Sequence, residues 1–434
     1  MSDSRKPLPQ QSNAEREALK KKCKHIDITD WQTVLPWVKG CILRHKKRYD
    51  FKSLLLRYGC SESDYHTAIT TFDYSVFDDT IKRISIDACN HIKSRNLELP
   101  PVRIQEKMDK TTGKIRDIGK ESAMQQIYDH IAVYSCQDIF KSRMVDQQMS
   151  SIKGRGQIAG IKLIKKYITA DNRAMTYAKR HNLRYTSKCK YAVKLDIEKC
   201  YASADVDIFM RVFEHDCGNQ DIIWLWRTLL ESHRVDGNTG FMIGALPSQW
   251  ACQVLISFIY RKAMTLKYEK RKKQRKKISH MVLFMDDMLL FGSNRKQLLS
   301  AVRELTRYTK EEIGLTIKPN FMIRKLDDVG IDMMGFVIYR NGKVEMRERN
   351  FIKSRRLMLH FLRTGKLVYS QAQRLNSYKG FYKYSDSRKI SKVLSVWKIF
   401  NLCSLVISKH DKENNHAKNL LLRGTAENLV PSAV

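Results

Sequence analysis

The chain has 434 residues, 43% of them apolar, so it can hold two or three domains and is too apolar to be a disordered protein. Lysine and arginine number 80 against 45 acidic residues, which gives a formal net charge of +35. Such an excess makes a compact chain repel itself unless polyanions neutralise it, and nucleic acid is the expected partner. A basic surface that only maintains solubility is the alternative.

The cysteines and the hydrophobic runs indicate where the protein works. Ten cysteines are scattered without a C-x-x-C pair, which argues against a zinc ribbon and against a disulfide framework. Free thiols in a reducing cytosol are then the default. The first residues are polar, unlike a signal peptide, and no uncharged apolar run reaches the roughly 18–20 residues of a membrane span. We therefore expect a cytoplasmic protein without a membrane partner.

The first half of the sequence predicts a helical region followed by a hairpin. Apolar residues recur at helical intervals from Ile26 to Asn96, and Leu99-Pro100-Pro101 interrupts the pattern. Alternating residues on both sides of a Gly-containing turn then indicate a β-hairpin. In chain order, we predict a polar arm at 1–22, a helical extension at 26–96, a hairpin at 102–118, a helix at 122–140 and a glycine-rich stretch at 153–157 that opens another helix.

The second half alternates strands and helices and ends in a basic helical region. No internal repeat is visible at periods of 20–50 residues. In chain order, we predict a strand at 191–195, helices at 205–232 and 248–268, an apolar hairpin at 281–291, a helix at 298–312, a strand at 333–339, basic amphipathic helices from 348 to 408 and a polar tail from Lys409.

Three Asp-Asp pairs occur along the chain, and one of them has an unusual setting. Asp286-Asp287 lies between the apolar runs of a predicted hairpin, where two adjacent carboxylates are costly unless a cation compensates them. Hard divalent cations with oxygen ligands do so. We interpret the other two pairs, Asp78-Asp79 and Asp327-Asp328, as surface turns or helix starts.

Asp196 supplies a third carboxylate at the end of the predicted strand 191–195. If that strand lies beside the hairpin, Asp196 meets Asp286 and Asp287 at one edge of a sheet. Three such carboxylates can hold two Mg²⁺ ions about 3.5–4 Å apart, an arrangement suited to nucleotidyl transfer. Taken alone, Asp196 is better explained as a turn former at a strand end.

Five short motifs in register resemble those of reverse transcriptases and span roughly residues 100–385. They are Leu195-Asp196-Ile197 through Tyr201, Ile243 through Trp250, Phe284-Met285-Asp286-Asp287, Gly314 through Lys318, and Met334-Gly335-Phe336. Phe284 stands where tyrosine is usual in the family. Ser248-Gln249 resembles the form found in diversity-generating retroelement enzymes, not the Pro-Gln-Gly form of retrons and group II introns.

The resemblance implies an α+β fold, namely a right-hand polymerase with fingers, a palm of antiparallel sheet plus helices, and a helical thumb, preceded by a helical N-terminal extension. We place the boundaries at 1–96 for the arm and extension, 97–190 for the fingers, 191–345 for the palm (with part of the fingers at 205–245), 346–408 for the thumb and 409–434 for a flexible tail. It also implies an RNA-directed DNA polymerase with two Mg²⁺ ions, or Mn²⁺ in their place.

Family roles are carried over residue by residue. Asp196 and Asp286 would ligate metal directly and Asp287 less directly, with the Ile197 carbonyl as a further ligand. Tyr201 falls at the steric gate, where a bulky ring excludes a ribose 2′-hydroxyl, and a core tyrosine is the alternative.

The resemblance also assigns residues to the incoming nucleotide. Lys114 and Arg116 would grip its triphosphate, since arginine's forked donors suit phosphate, although a merely solvated hairpin explains Lys114 equally well. Gln249 would position the template base or the nucleotide. Lys318 would protonate pyrophosphate, and Pro319 beside it leaves that alignment open.

Two basic segments are candidate nucleic-acid contacts. The first carries eight cations in 267–277, including Lys270, Arg271, Lys272, Lys273, Arg275, Lys276 and Lys277. A solvated face or flexible loop is the usual explanation for such a run, whereas a structured RNA is the functional one. The second lies in the predicted thumb, where basic residues alternate with aromatics as suits a grip on a duplex, and includes Arg355, Arg356 and Lys379.

Several alternatives remain at this point. An RNA-dependent RNA polymerase shares the palm, but Phe284-Met285 and the bulky Tyr201 argue against it, and a non-catalytic RNA-binding module is disfavoured by the three carboxylates. The expected partners are an RNA template, including a dedicated structured non-coding RNA, dNTPs and the DNA product, with a homo-oligomer or an accessory protein as further candidates. The long extension resembles that of unclassified bacterial reverse transcriptases that defend against phage, with a diversity-generating retroelement as the alternative.

Overall fold

The computed structural model describes residues 21–108, 113, 115–232 and 240–410. The predicted polar arm at 1–22 and the tail from Lys409 therefore lie almost wholly outside the described residues. Among those described, no helix is long and apolar enough to cross a membrane. All ten cysteines are described, and all are free thiols.

Helices and strands occur in separate runs along the chain, and the predicted mixed α+β class is confirmed. The helices are α1 (Trp31–His45), α2 (Tyr49–Arg57), α3 (Glu62–Thr71), α4 (Asp78–Lys93), α5 (Ala123–Ser135), α6 (Gln137–Arg143), α7 (Gln157–Arg180), α8 (Cys200–Ser203), α9 (Val206–Asp216), α10 (Gln220–Ser232), α11 (Leu246–Thr265), α12 (Arg295–Glu312), α13 (Glu348–Thr364), α14 (Tyr369–Asn376), α15 (Lys379–Tyr384) and α16 (Arg388–Val393), and residues 396–410 are also helical. The strands are β1 (Arg103–Met108), β2 (Ile115–Lys120), β3 (Tyr191–Asp196), β4 (Lys267–Lys270), β5 (Lys273–Lys276), β6 (His280–Phe284), β7 (Asp287–Gly292), β8 (Ile323–Lys325), β9 (Ile331–Met333), β10 (Phe336–Ile338) and β11 (Val344–Met346).

The chain forms two compact units, each built from separate segments. The first comprises Met1–Lys153 with Val193–Ile323, and the second comprises Gly154–Ala192 with Arg324–Val434.

The N-terminal extension is helical, as predicted, and is part of the first unit. The Asp30 carboxylate caps α1 by accepting hydrogen bonds from the backbone N–H groups of Gln32 and Thr33. The inner face of α1 buries Val34 and Val38 where the helix packs on α4 and α5. Burial of an apolar stripe holds α1 in place, because helical propensity alone stabilises a helix of this length only marginally.

Helix α5 is the centre of the first unit. Its residues are buried on nearly every face, and α1, α2, α10 and α11 pack around it. The Trp226 indole of α10 is fully buried and donates to the Ala132 carbonyl of α5 at 2.8 Å. A helix buried all round is typical of the core of a large domain.

Two strands of this unit meet in a tight hairpin, and a third lies beside it. Strands β6 and β7 pair antiparallel from His280↔Phe291 to Phe284↔Asp287, and β7 lies between β6 and β3. The predicted apolar hairpin and the predicted neighbouring strand are both present. This order brings the end of β3 next to the β6–β7 turn.

The second unit joins α7 to a small sheet and a set of C-terminal helices. Strand β10 pairs with β9 and with β11. The buried Asp171 carboxylate of α7 accepts hydrogen bonds from Tyr185, Ser187 and the backbone of Lys188, and it pairs with Arg340 at 2.7 Å. Burial works to raise the pKa of Asp171, but these hydrogen bonds outweigh it and lower that pKa below its usual value.

The C-terminal helices share a core of their own within the second unit. Side chains from 346–403 form one buried cluster that includes Met358, Tyr382 and Phe400. The predicted helical character of 348–408 is confirmed, with the helix divided into several short pieces.

Three elements that were predicted as continuous are interrupted in the structure, so these predictions were wrong. The helix predicted at 205–232 is two helices, because the Asn219 side chain accepts hydrogen bonds from Asp221 and Ile222 and starts a new helix. The helix predicted at 122–140 is divided at Cys136. The strand predicted at 333–339 is interrupted by Met334 and Gly335, which both have positive φ and turn the chain.

The basic run is a β-hairpin, which the sequence reading as a solvated face or flexible loop did not predict. Strands β4 and β5 pair from Lys267↔Lys276 to Lys270↔Lys273. Arg271 and Lys272 form the two-residue turn, with φ values of 53° and 58°. Positive φ at both turn residues matches the twist of a tight hairpin, although asparagine and glycine are the usual residues there.

Candidate active site

The β6–β7 turn holds the Asp-Asp pair. Phe284 and Asp287 are the last paired residues, so Met285 and Asp286 form the turn. Met285 has φ +53°, a left-handed conformation that is uncommon for a residue with a long side chain. The Gln253 amide contacts the Met285 sulfur at 2.8 Å and fixes the strained residue from α11.

The third carboxylate lies where the sequence predicted it. Asp196 ends β3, and the backbone N–H of the next residue, Ile197, donates to the Asp286 carbonyl at 3.3 Å. The structure thus brings Asp196 to the turn that carries Asp286 and Asp287. The other two Asp-Asp pairs lie in a helix start (Asp78-Asp79) and in a turn (Asp327-Asp328), as expected.

The three aspartates are close enough to influence one another's charge. Desolvation, with the negative charges of Asp287 and Asp196, raises the pKa of Asp286, while the guanidinium of Arg116 works in the opposite direction. Crowded carboxylates of this kind favour either protonation or a bound cation.

Two lysines already pair with the outer aspartates. The Lys318 ammonium lies 2.5 Å from the Asp196 carboxylate, and that of Lys194 lies 2.9 Å from the Asp287 carboxylate. The Lys318 backbone N–H also donates to the Asp196 carbonyl at 2.9 Å. Hydrogen bonding to Asp196 raises the pKa of Lys318, so this lysine holds its proton beside the aspartate.

The donor set suits hard divalent cations. In the described part of the chain, no three His, Cys, Asp or Glu side chains lie in an arrangement that holds a metal as they stand. Asp196, Asp286 and Asp287 nevertheless offer the carboxylate oxygens that such ions prefer, and the charges of Asp287 and Asp196 help burial to raise the pKa of Asp286, a rise that a bound cation would oppose. The ammonium groups of Lys194 and Lys318 already balance part of the negative charge at this site.

A cavity of about 540 Å³ adjoins the turn within the first unit. Three predicted nucleotide contacts line it, namely Arg116, Tyr201 and Gln249, together with Met285 of the turn. Arg116 is exposed on β2 and Tyr201 is half-buried. The volume is in the range of about 300–1,000 Å³ that small-molecule sites occupy.

Close backbone contact shapes one wall of this cavity. The Gly119 N–H donates to the Ile243 carbonyl at 2.9 Å, which joins β2 to the segment before α11. A Cβ atom on Gly244 would lie 2.7 Å from the Gly119 carbonyl oxygen, and Gly244 has φ +117°. Glycine is therefore required at position 244.

Gln249 and its neighbours join α11 to a loop. The Gln249 amide donates to the Ser151 hydroxyl at 2.6 Å, and Gln148 donates to the Gln253 side chain at 2.7 Å. The Met149 N–H donates to the Leu283 carbonyl of β6 at 2.8 Å. The predicted Gln249 thus lines the cavity, and its hydrogen-bond partner Ser151 is a residue that the sequence reasoning missed.

The N-terminal extension contributes to the same cavity, which the sequence did not reveal. Arg44, His45 and Arg48 line it. Arg48 donates to the Gln126 side chain at 3.0 Å and pairs with Asp50. No local motif marks these residues, because their position depends on the docking of α1 against α5.

Two buried carboxyl groups lie at the inner side of this cavity. Glu121 and Asp129 both line it and are 5% and 1% exposed. Burial, followed by the charge of Glu121, raises the pKa of Asp129, and burial beside the positive Arg44 lowers the pKa of His130 to about 4. The side chains of Asp129 and His130 thus favour their neutral forms.

The predicted nucleic-acid contacts are distributed over both units. In the β4–β5 hairpin, Lys270 through Lys276 are exposed, whereas Lys277 is largely buried and paired with Glu304. Arg355 and Arg356 are exposed on α13, and Lys379 is half-buried at the start of α15. Lys114 lies outside the described residues.

The chain matches a known protein family over about half of its length. The family described as reverse transcriptase (RNA-dependent DNA polymerase) matches residues 106–337. No curated protein sequence matches the chain. Apo telomerase from Candida tropicalis is similar in structure with 11% identity and a TM-score of 0.42, over 92% of this chain and 84% of that one. Telomerase from Candida albicans, in complex with a fragment of telomeric RNA, has 12% identity and a TM-score of 0.38, over 73% and 62%. Such scores are too low to support an inference about this chain.

Proposed function

This chain belongs to the reverse transcriptase family and is an RNA-directed DNA polymerase with a right-hand fold, and we propose that it acts by two-metal-ion nucleotidyl transfer in antiphage defence. One observation carries the mechanism. Asp196, Asp286 and Asp287 converge beside a cavity that Arg116, Tyr201 and Gln249 line. Because the family match covers this region, the cavity is the proposed site of the incoming dNTP.

Asp196, Asp286 and Asp287, with the Ile197 carbonyl, would hold two Mg²⁺ ions, or Mn²⁺ in their place. Such ions lower the pKa of a primer 3′-hydroxyl and neutralise the triphosphate and the pyrophosphate. Lys194 and Lys318 pair with the outer carboxylates and hold them in place. The metal ions would take over part of the charge balance that these ammonium groups provide.

The remaining cavity residues position the nucleotide. The Arg116 guanidinium binds phosphate oxygens, since it lines the cavity and is near enough to Asp286 for its charge to oppose the rise in that carboxyl's pKa. Gln249 is held by Ser151 and positions the base or its template partner. Lys318, protonated beside Asp196, donates a proton to the leaving pyrophosphate. Lys114 stays a proposed triphosphate contact.

Replacing Tyr201 with alanine is expected to admit ribonucleotides. The Tyr201 ring lines the nucleotide cavity near Asp286, where it would occupy the space of a 2′-hydroxyl. We expect the ratio of kcat/KM for ribonucleotides to that for dNTPs to rise at least about tenfold in primer extension.

Tyr201→Phe is the matched control, because it keeps the ring and removes only the hydroxyl. It should retain the wild-type preference for dNTPs. An unchanged ratio in Tyr201→Ala would assign Tyr201 to the core and remove it from the site.

Neutralising the β4–β5 hairpin is expected to weaken RNA binding and to flatten its salt dependence. The hairpin carries exposed cations on a defined scaffold, so it is the proposed contact with a structured RNA. Each phosphate contact that is lost should reduce the log–log slope of affinity against salt by about 0.7–0.9. The test variant changes four hairpin lysines to glutamine: Lys270, Lys272, Lys273 and Lys276.

The control variant removes the same charge from exposed lysines elsewhere in the first unit, namely Lys82, Lys93, Lys296 and Lys310. Lys277 is left unchanged in both variants, because it pairs with Glu304 and contributes to stability. Equal slopes of RNA affinity against salt for the two variants would show that the hairpin is a solvated surface without a specific RNA contact.

The defence role is supported by the helical extension ahead of the fingers. Helices α1–α4 lie in this extension, and Arg44 and Arg48 bring it to the nucleotide cavity. A minimal polymerase needs only fingers, palm and thumb, so the extension serves a further purpose. The alternative, a diversity-generating retroelement, is favoured by the Ser248-Gln249 motif.

Deleting the gene separates these two roles. Under the defence proposal, phage plating efficiency rises in the deletion strain, and sequencing the RNA that co-purifies with the protein identifies its template. Unchanged plating, together with the loss of adenine-directed mutations in a nearby variable repeat, would replace defence with the diversity-generating role.

A further inference from the structure

A second cavity, of about 810 Å³, lies wholly within the second unit. It is formed by the first turns of α7, by Val344 and by residues 382–398. None of the three aspartates lines it. Its volume is in the range of about 300–1,000 Å³ that is typical of ligand sites.

We call this second cavity the thumb cavity, because residues 382–398 of its lining belong to the predicted thumb. Its lining is strongly positive. Six of its side chains are cations: Lys162, Lys165, Lys383, Arg388, Lys392 and Lys398. None of the six forms an ion pair with a residue that the structure describes. The lining has one carboxylate, Asp386, which accepts the Val344 N–H at 2.8 Å and can balance only one of the six positive charges. Lysines held together without acidic partners repel one another, and an anionic ligand would relieve that repulsion.

Aromatic rings and hydroxyl groups lie among these cations. The ammonium groups of Lys162 and Lys383 each lie 5.6 Å from the centre of the Tyr384 ring. Trp397 is 43% exposed, which is unusual for so large an apolar ring. The Ser385 hydroxyl oxygen is buried and has no hydrogen-bond partner among the described residues. A donor without a partner, an exposed ring and several cations together match a phosphate joined to a base.

We propose that the thumb cavity binds a phosphorylated nucleotide, either as a free molecule or as the 5′-terminal nucleotide of an RNA. The cations bind its phosphate by charge-assisted hydrogen bonds, and its base stacks on Trp397. This site is additional to the one at which dNTPs react. It would let the enzyme retain an RNA by its end while another part of that RNA is copied.

The test compares a wall residue with its neighbour on the same short helix. Lys392 and Lys389 both lie on α16 and are both exposed, but only Lys392 lines the cavity. The probes are a single-stranded RNA decamer with a 5′-phosphate, the same decamer with a 5′-hydroxyl, and AMP. Each is titrated against the full-length wild-type protein and against Lys392→Gln, Lys389→Gln and Trp397→Ala.

For the wild type, we expect the 5′-phosphorylated decamer to bind about tenfold more tightly than the 5′-hydroxyl decamer, since one charge-assisted contact contributes about that factor. Lys392→Gln and Trp397→Ala should remove most of this preference, and Lys389→Gln should keep it. If AMP also binds to the wild type and loses affinity in the same two variants, the cavity takes free nucleotides as well. If only the decamer responds, the RNA end is the ligand.

Two results would overturn the proposal. One is a wild-type protein that shows neither a preference for the 5′-phosphate nor AMP binding. The other is an equal loss of the 5′-phosphate preference in Lys389→Gln and Lys392→Gln, which would show that net charge alone explains the effect. Comparing the two decamers cancels non-specific binding by the rest of this basic protein, because that binding is common to both. Neither result depends on catalysis, so failure here leaves the proposed polymerase mechanism untouched.

Discussion

Changing Asp196 to asparagine is expected to abolish dNTP incorporation while RNA binding stays near the wild-type level. The change removes one negative charge from a cluster of three and leaves the ion pair of Lys318 without its acid. Metal ions stabilise the charge of the transition state by several kcal/mol, so the rate should fall at least about a thousandfold. Extension of a DNA primer on an RNA template with Mg²⁺, and with EDTA as the blank, measures this loss.

Asp287→Asn should behave in the same way, because Asp287 belongs to the same cluster. Asp79→Asn is the matched control, since it changes one member of an Asp-Asp pair at the exposed start of α4. It should keep full activity. If Asp196→Asn or Asp287→Asn incorporated dNTPs at the wild-type rate, the site assignment would be rejected.

Replacing Arg143 with methionine is expected to cause a large loss of stability. Arg143 and Asp216 are 3% and 0% exposed and form a two-pronged ion pair inside the first unit. His215 also contacts the Asp216 carboxylate, at 2.9 Å. Removing one partner leaves a buried carboxylate without its compensating charge, at a cost of about 3–5 kcal/mol. For a unit of this size, the melting temperature should fall by about 10 °C.

Two further variants separate the loss of charge pairing from the loss of packing. Arg227→Met breaks ion pairs that are about 38% exposed, so it should lower the melting temperature much less. The double variant Arg143→Met with Asp216→Leu removes both charges and should recover most of the loss. If the double variant were as unstable as the single one, packing and not charge would explain the effect.

The sequence predicted the cluster of three aspartates because its signals are local. Asp196 ends an alternating strand, and Asp286-Asp287 interrupts an apolar hairpin, so pairing of neighbouring strands was enough to bring them together. Lys194 had a weaker signal of the same kind, since it lies two residues before Asp196 on the same face of β3.

Other features depend on tertiary packing or on side-chain hydrogen bonds that a periodic pattern does not show. Arg44 and Arg48 reach the cavity beside the β6–β7 turn only because α1 buries its apolar stripe against α5. The β4–β5 hairpin consists of lysines and arginines, which have little preference for strands, so no alternation of polar and apolar residues marks it. The break at Asn219 arises from its own side chain, which replaces backbone hydrogen bonds of a continuous helix.

The interleaved order of the two units constrains how the protein folds as it leaves the ribosome. The segment Gly154–Ala192 is synthesised before Val193–Ile323, yet its packing partners begin at Arg324. Helix α7 must therefore wait, with part of its apolar face uncovered, until β10 (Phe336–Ile338) has emerged. Such delayed pairing exposes hydrophobic surface to aggregation and favours assistance by chaperones. The same order means that no single cut separates one unit cleanly from the other, because each fragment that holds one unit whole also carries a segment of its neighbour.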